Sequence, residues 1–141
     1  MPDPNKIVLI IDDSPFITAR LKSSLDGLSS PDGLSSPDRL SSPDGLSSVA
    51  TVLQAHCYSE ALPILEKSRP DIVLLDINLP DVNGIEVLRR LKRTYPSMVV
   101  IMLSNQSEDV YRSACKRLGA AHFIDKSTEF QLIGPILSSF F

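Results

Sequence analysis

"DIVLLDI", residues 71–77, sets four apolar residues in a row between Asp71 and Asp76, with no alternation of apolar and polar positions. A strand wetted on one face alternates, whereas a strand covered on both faces does not. Two more stretches read the same way, "KIVLII" at residues 6–11 and "MVVIML" at residues 98–103. Val49 to Gln54 reads as a short strand and residues 121–125 as a last one.

Helical patterns fill the intervals. Ser14 and Pro15 are a cap and a first-turn proline ahead of Ile17, Leu21 and Leu25, spaced by four. A helix over Ser59 to Lys67, capped by Ser59, offers Leu62, Ile64 and Leu65 to the core, with Pro63 near its first turn. Residues 84–95 form a helix burying Ile85, Leu88 and Leu91. In the next, Ser107 caps, Glu108 and Asp109 occupy the first turn, Val110, Ala114 and Leu118 point inward, and Gly119 stops it. A final helix runs from Glu129 to Ser139 and kinks or restarts at Gly134-Pro135. Five alternations of strand and helix predict a doubly wound parallel α/β sheet with right-handed crossovers.

The totals fit one compact domain over residues 1–141, with 43% hydrophobic residues to build a core. A net charge of 14 minus 17, or -3, gives no sign of direct nucleic-acid binding. Arg89, Arg90, Lys92 and Arg93 read as a solvated helix face. "MPDPNK" lacks the pattern of a signal peptide and no apolar run is long enough to span a membrane, so the expectation is a cytoplasmic protein without membrane contact. His56, Cys57, Cys115 and His122 fit no standard zinc spacing.

One segment interrupts the rhythm. "SSLDGLSSPDGLSSPDRLSSPDGLSS", residues 23–48, is a hexad in four copies. On a helix a step of six turns each leucine by about 240°, so Leu28, Leu34 and Leu40 would share no face. Proline or glycine in every unit argues against a strand. Residues 29–46 are therefore read as a duplicated insertion, a loop of successive turns between helix 1 and strand 2.

Polar groups gather where strands end. The first strand runs into Asp12 and Asp13, the third into Asp76, the fourth into Ser104 and the fifth into Lys126. In open parallel sheets ligands bind at the carboxyl ends of strands. Each residue alone has a simpler account as a helix cap or a solvated charge. Three carboxylates at one place repel one another unless a cation sits among them, and oxygen-only donors suit Mg²⁺.

Taken together, "IIDDSP", "DIVLLDINLPDVNG", "MLS" and "FIDKS" resemble the receiver domain of bacterial two-component response regulators, over the whole chain except the repeat. The resemblance implies a flavodoxin-like five-stranded sheet in the order 2-1-3-4-5. It makes Asp76 the phosphoacceptor, taking a phosphoryl group from a histidine kinase or phosphotransfer protein. By the same likeness Asp13, Asp76 and the main-chain carbonyl of Asn78 bind Mg²⁺ directly, and Asp12 acts largely through water. Lys126 and Ser104 contact the phosphoryl oxygens, and Ser104 and Phe123 form the switch. A downstream protein target would meet the face of the fourth helix, fifth strand and fifth helix. Such a domain catalyses only its own phosphorylation and dephosphorylation. The chain departs from the family at Ser127, where many members have proline, and at Asn105, where a small residue is common.

Three other readings compete. A haloacid dehalogenase-type phosphatase also uses a strand-end aspartate and Mg²⁺, but its second acid position is held here by Asn78 and the Asp12-Asp13 pair goes unexplained. A non-phosphorylated pseudo-receiver should lack one of the acids or the lysine, and all are present. A nucleotide-binding sheet would need a glycine-rich loop after its first strand.

Overall fold

A computed structural model of the chain describes residues 6–14, 19–20, 50–105 and 109–140. Its elements are β1 (Lys6–Ile11), β2 (Ala50–Ala55), α1 (Tyr58–Ser68), β3 (Ile72–Asp76), α2 (Gly84–Thr94), β4 (Val99–Ser104), α3 (Asp109–Arg117) and β5 (His122–Asp125). A 3₁₀ turn, Phe130–Leu132, then leads into α4 (Ile133–Ser138). The hexads at 29–46, the residues Ile17, Leu21 and Leu25, and the cap expected at Ser107 lie outside the described residues.

The five strands form one parallel sheet in the order β2-β1-β3-β4-β5, the flavodoxin-like order. Apolar runs without alternation feed two cores at once. Leu9, Ile11, Val73, Leu75, Val100 and Met102 point to the side covered by α1, α2 and α3. Their neighbours Val8, Ile10, Ile72, Leu74, Ile101 and Leu103 point to the other, where Phe130, Ile133 and Leu137 pack. Period-two geometry sends successive side chains to opposite faces, so a strand buried on both must be apolar throughout.

Some helix readings shift. Leu62, expected inward, is 41% exposed; Leu65 is buried as expected, and Ala61 takes the other buried place on α1. Because α1 begins at Tyr58, Pro63 falls in its second turn rather than its first. In α3 the expected inward Val110 is 72% exposed, while Cys115 is fully buried. Leu118 points inward as expected, while Tyr111 and Cys115 take the places expected of Val110 and Ala114. A buried thiol behaves as a small hydrophobe, and counting it as one recovers the phase. Gly119 stops the helix as expected, with φ +103. Before α4, the helical path breaks at the 3₁₀ turn and restarts at Ile133, so Gly134 and Pro135 fall in the first turn of α4.

The cap of α1 is also not the one expected. Cys57 holds the N-cap position without a side-chain bond. Asp81, from the loop after β3, accepts the N–H groups of Tyr58 at 3.0 Å and Ser59 at 2.9 Å, and the Ser59 hydroxyl at 2.9 Å. Ser59 donates to a distant cap instead of being one. Those bonds hold the Asp81 carboxyl down at about 2, against an ordinary 3.8. The sign follows: this contribution to stability is complete above 3.8 and is lost as pH falls through about 2.

Candidate functional site

Parallel register brings the strand ends level. Ile11 pairs with Ala55 on one side and Leu75 on the other, Asp76 with Leu103, and Ser104 with Asp125. Strand order reverses between β1 and β3, so Asp12 and Asp76 flank the switch point of the sheet.

Three of the residues singled out from sequence meet there. Lys126 Nζ lies 2.8 Å from Asp12 Oδ2 and 3.1 Å from Asp76 Oδ2. Asp12 is 0% exposed, Asp76 5% and Lys126 7%. Ser104, at the end of β4, is fully buried, and its carbonyl accepts the Lys126 N–H at 2.8 Å. The Ser14 N–H donates to Asp12 Oδ1 at 2.8 Å, and the Asn78 N–H to Asp76 Oδ1 at 3.0 Å. Asp13 is exposed at the bend that follows β1 and stands outside this contact. Among the described residues no three His, Cys, Asp or Glu side chains are grouped closely enough to hold a metal ion by themselves.

The electrostatics are unbalanced toward negative charge. Burial pushes the Asp76 carboxyl up from its ordinary 3.8, the nearby Asp12 adds to the rise, and the Lys126 ammonium opposes it without prevailing. Asp12 Oδ2 is close enough to Lys126 for an ion pair but not aligned for a hydrogen bond, so this buried oxygen lacks a hydrogen-bond partner. Two buried carboxylates share one ammonium. An oxygen-only donor set, a surplus of negative charge and an unsatisfied buried oxygen together fit a hard divalent cation.

Two residues that shape the loop beside this site were missed from sequence. The first is Gly84, at the start of α2, where Asn83 caps by accepting the Ile85 N–H at 2.8 Å. A Cβ on Gly84 would collide with the carbonyl oxygen of Asp76 and come within 2.5 Å of Ile77 Cα. Both are backbone atoms of the strand end that carries Asp76, so no side chain can swing aside. Gly84→Ala is expected to destabilise the fold by about 3 kcal/mol, the upper end for overpacking, read as a lower denaturation midpoint at unchanged slope. The "NG" of "DVNG" was the available signal. Asp81 is the second, and nothing local in the sequence marks a remote cap.

The expected switch aromatic, Phe123, is half-buried on β5. The Arg112 guanidinium lies over its ring at 4.9 Å and pairs with Glu129 at 2.8 Å. Glu129 also accepts the Asp125 N–H at 3.0 Å, and the Arg112 guanidinium keeps its carboxyl below the usual range. At the family's proline position, the Ser127 N–H is used: Asp125 Oδ1 accepts it at 2.7 Å. Asn105 is exposed beside Ser104.

Known proteins resemble this arrangement. A family model of the response regulator receiver domain matches residues 44–136. Transcriptional regulatory protein CreB of Escherichia coli (strain K12) is 36% identical over 72 residues, covering 49% of this chain and 31% of its own length. A putative transcriptional regulator of Pseudomonas aeruginosa is 33% identical over 121 residues, covering 84% of this chain and 48% of its own. This chain thus spans between about a third and a half of the length of these curated relatives. Among solved structures, the signal receiver domain of a DNA-binding response regulator from Colwellia psychrerythraea 34H superposes with a TM-score of 0.76 at 23% identity, covering 96% of this chain and 97% of that one. A CheY-like receiver domain protein from Methanospirillum hungatei JF-1 does so with a TM-score of 0.69 at 24% identity, covering 95% and 92%.

Proposed function

This chain belongs to the response-regulator receiver family, a group of two-component signalling domains, and on that premise we propose that Asp76 is its phosphoacceptor. The observation that carries the reading is the buried contact of Lys126 with both Asp12 and Asp76 at the switch point of the sheet.

In the proposed reaction an oxygen of Asp76 attacks the phosphorus of a phosphohistidine on a histidine kinase or phosphotransfer protein. The N–P bond breaks as the O–P bond forms, and the imidazole leaves. Lys126, already 3.1 Å from the attacking carboxylate, offsets charge that develops on the phosphoryl oxygens. The Asn78 N–H on Oδ1 orients the carboxylate and leaves Oδ2 toward Lys126. Asp12, Asp13, Asp76 and the Asn78 carbonyl would hold Mg²⁺, which when bound neutralises phosphoryl charge. The chain catalyses only its own phosphorylation and dephosphorylation and acts on no separate substrate. A phosphatase of the haloacid dehalogenase type is not favoured, since Asn78 stands where that family needs an acid.

Ser104 and Phe123 form the proposed switch, and the surface of α3, β5 and α4 is the proposed docking face for a downstream protein. The ring of Phe123 is held by Arg112 of α3, which supports Phe123 as the link between β5 and that face. Several relatives are named as transcriptional regulators, so the expected lack of direct nucleic-acid contact is proposed for this receiver unit alone. Among the described residues no helix is long and apolar enough to cross a membrane.

Intact-mass spectrometry after treatment with acetyl phosphate and Mg²⁺ tests the reading. One phosphoryl group per chain is expected, with none when the divalent cation is chelated. The same labelling is expected from a chain lacking residues 29–46, which we treat as an insertion within a single receiver domain of 1–141. An unlabelled parent chain would overturn the proposal.

A further inference from the structure

The loop between β3 and α2 is tied down at both its base and its tip. At the base, the Gly84 N–H donates to the Ile77 carbonyl at 2.7 Å, and Asn78 and Asn83 form an isolated antiparallel bridge. The Asn78 N–H reaches back to Asp76. At the tip, Asp81 holds the first turn of α1 through three bonds from residues 22 and 23 positions away. Bonds of this kind, to an ionised carboxylate at a helix N-terminus, are stronger than neutral ones.

The base ties Asn78 to Asn83 and to Asp76, but a two-point base leaves the loop free to hinge about it, and the anchored tip removes that freedom. From this we propose that Asp81 is a positioning residue for the cation site, fixing the Asn78 main chain and the Asp76 carboxylate by anchoring their loop to α1. The inference rests on the reading that Mg²⁺ binds Asp76 and the Asn78 carbonyl. Asp81 touches neither ion nor phosphoryl group in this scheme and acts through the loop.

A neighbouring residue separates positioning from plain helix capping. Glu60, on α1 itself, accepts the His56 N–H at 3.0 Å and pairs with the His56 ring at 3.1 Å. It supports the same helix terminus, but its partner His56 belongs to that terminus and not to the loop of Asn78. The full chain, Asp81→Ala, Asp81→Asn and Glu60→Ala are compared by calorimetric titration with MgCl₂ and by amide exchange at Asn78. Asp81→Ala is expected to weaken Mg²⁺ binding about tenfold, in the range for residues that orient metal ligands, and to speed exchange of the Asn78 N–H. Asp81→Asn keeps one acceptor oxygen and should recover part of the affinity. Glu60→Ala should lower the melting temperature while leaving both readouts at the parent's values. Unchanged Mg²⁺ affinity in both Asp81 variants, or an equal loss in Glu60→Ala, would overturn the inference alone. A parent chain that binds no Mg²⁺ would overturn the functional reading and this inference with it.

Discussion

Asp76→Asn is expected to abolish phosphorylation completely and at the same time to make the metal-free protein more stable. The first effect follows from chemistry. An amide oxygen is a poor nucleophile, and the variant has no carboxylate oxygen to form the acyl phosphate. The second follows from burial. The replacement keeps the shape and can still accept the Asn78 N–H, but it removes a buried charge. The Asp76 pKa is raised in the folded chain, chiefly by desolvation. The folded state therefore holds this proton more tightly than the unfolded chain does. Its contribution to stability is complete below 3.8 and is lost as pH rises through the higher folded value. At neutral pH the parent bears that loss and the variant does not. Thermal melts without Mg²⁺ should show the variant above the parent at neutral pH, with the gap closing in acid. Added Mg²⁺ should raise the parent's melting temperature and leave the variant's nearly unchanged. Undiminished labelling of the variant, or a variant less stable than the parent at every pH, would reject this account.

Lys126→Met should be the most damaging single change to the fold within the site. Methionine preserves most of the buried stem but removes the ammonium that faces both Asp12 and Asp76. Breaking a buried ion pair by deleting one partner costs about 3–5 kcal/mol, because the survivor is left charged without compensation. Here there are two survivors. Against a typical domain stability of about 5–15 kcal/mol, the loss approaches unfolding. Two treatments should rescue it. Acid protonates Asp76, and a bound cation replaces the missing charge, contributing about 2.7 kcal/mol at a hundredfold excess over its dissociation constant. Urea titrations with and without MgCl₂ measure all of this. A variant as stable as the parent in the absence of Mg²⁺ would show that the Asp12 and Asp76 charges are not compensated by Lys126.

How far these features could be read beforehand depended on how local their causes are. β1, β3 and β4 were plain because a strand buried on both faces must be apolar at every position, and nothing else in the chain looks like that. The meeting of Asp12, Asp76 and Lys126 at one end of the sheet was legible because parallel register brings the ends of neighbouring strands to one level. The phase of α3 was misread because Cys115 was not counted as apolar, which gave Val110 a place that belongs to Tyr111. Ser59 looked like a cap by type, but its partner Asp81 comes from another loop, and only the folded sheet brings the two together. Gly84 was hidden for a similar reason. Its lack of a side chain matters only because the strand end lies directly against it.

The place of β1 in the sheet bears on how the chain is made and where it can be cut. β1 precedes the other four strands in the chain, yet it lies inside the sheet between β2 and β3, and its partner across the switch point arrives late: the Ile7 N–H bonds to Asp71, 64 positions further on. During translation the edge of β1 that pairs with β3 stays open until β3 has been made, which lengthens the interval in which its apolar residues can associate wrongly. The same geometry makes residue 44, where the family match begins, a poor place to start an expression fragment. Such a piece would keep four strands and lose the one between β2 and β3, leaving those two with raw edges that face each other across a missing strand.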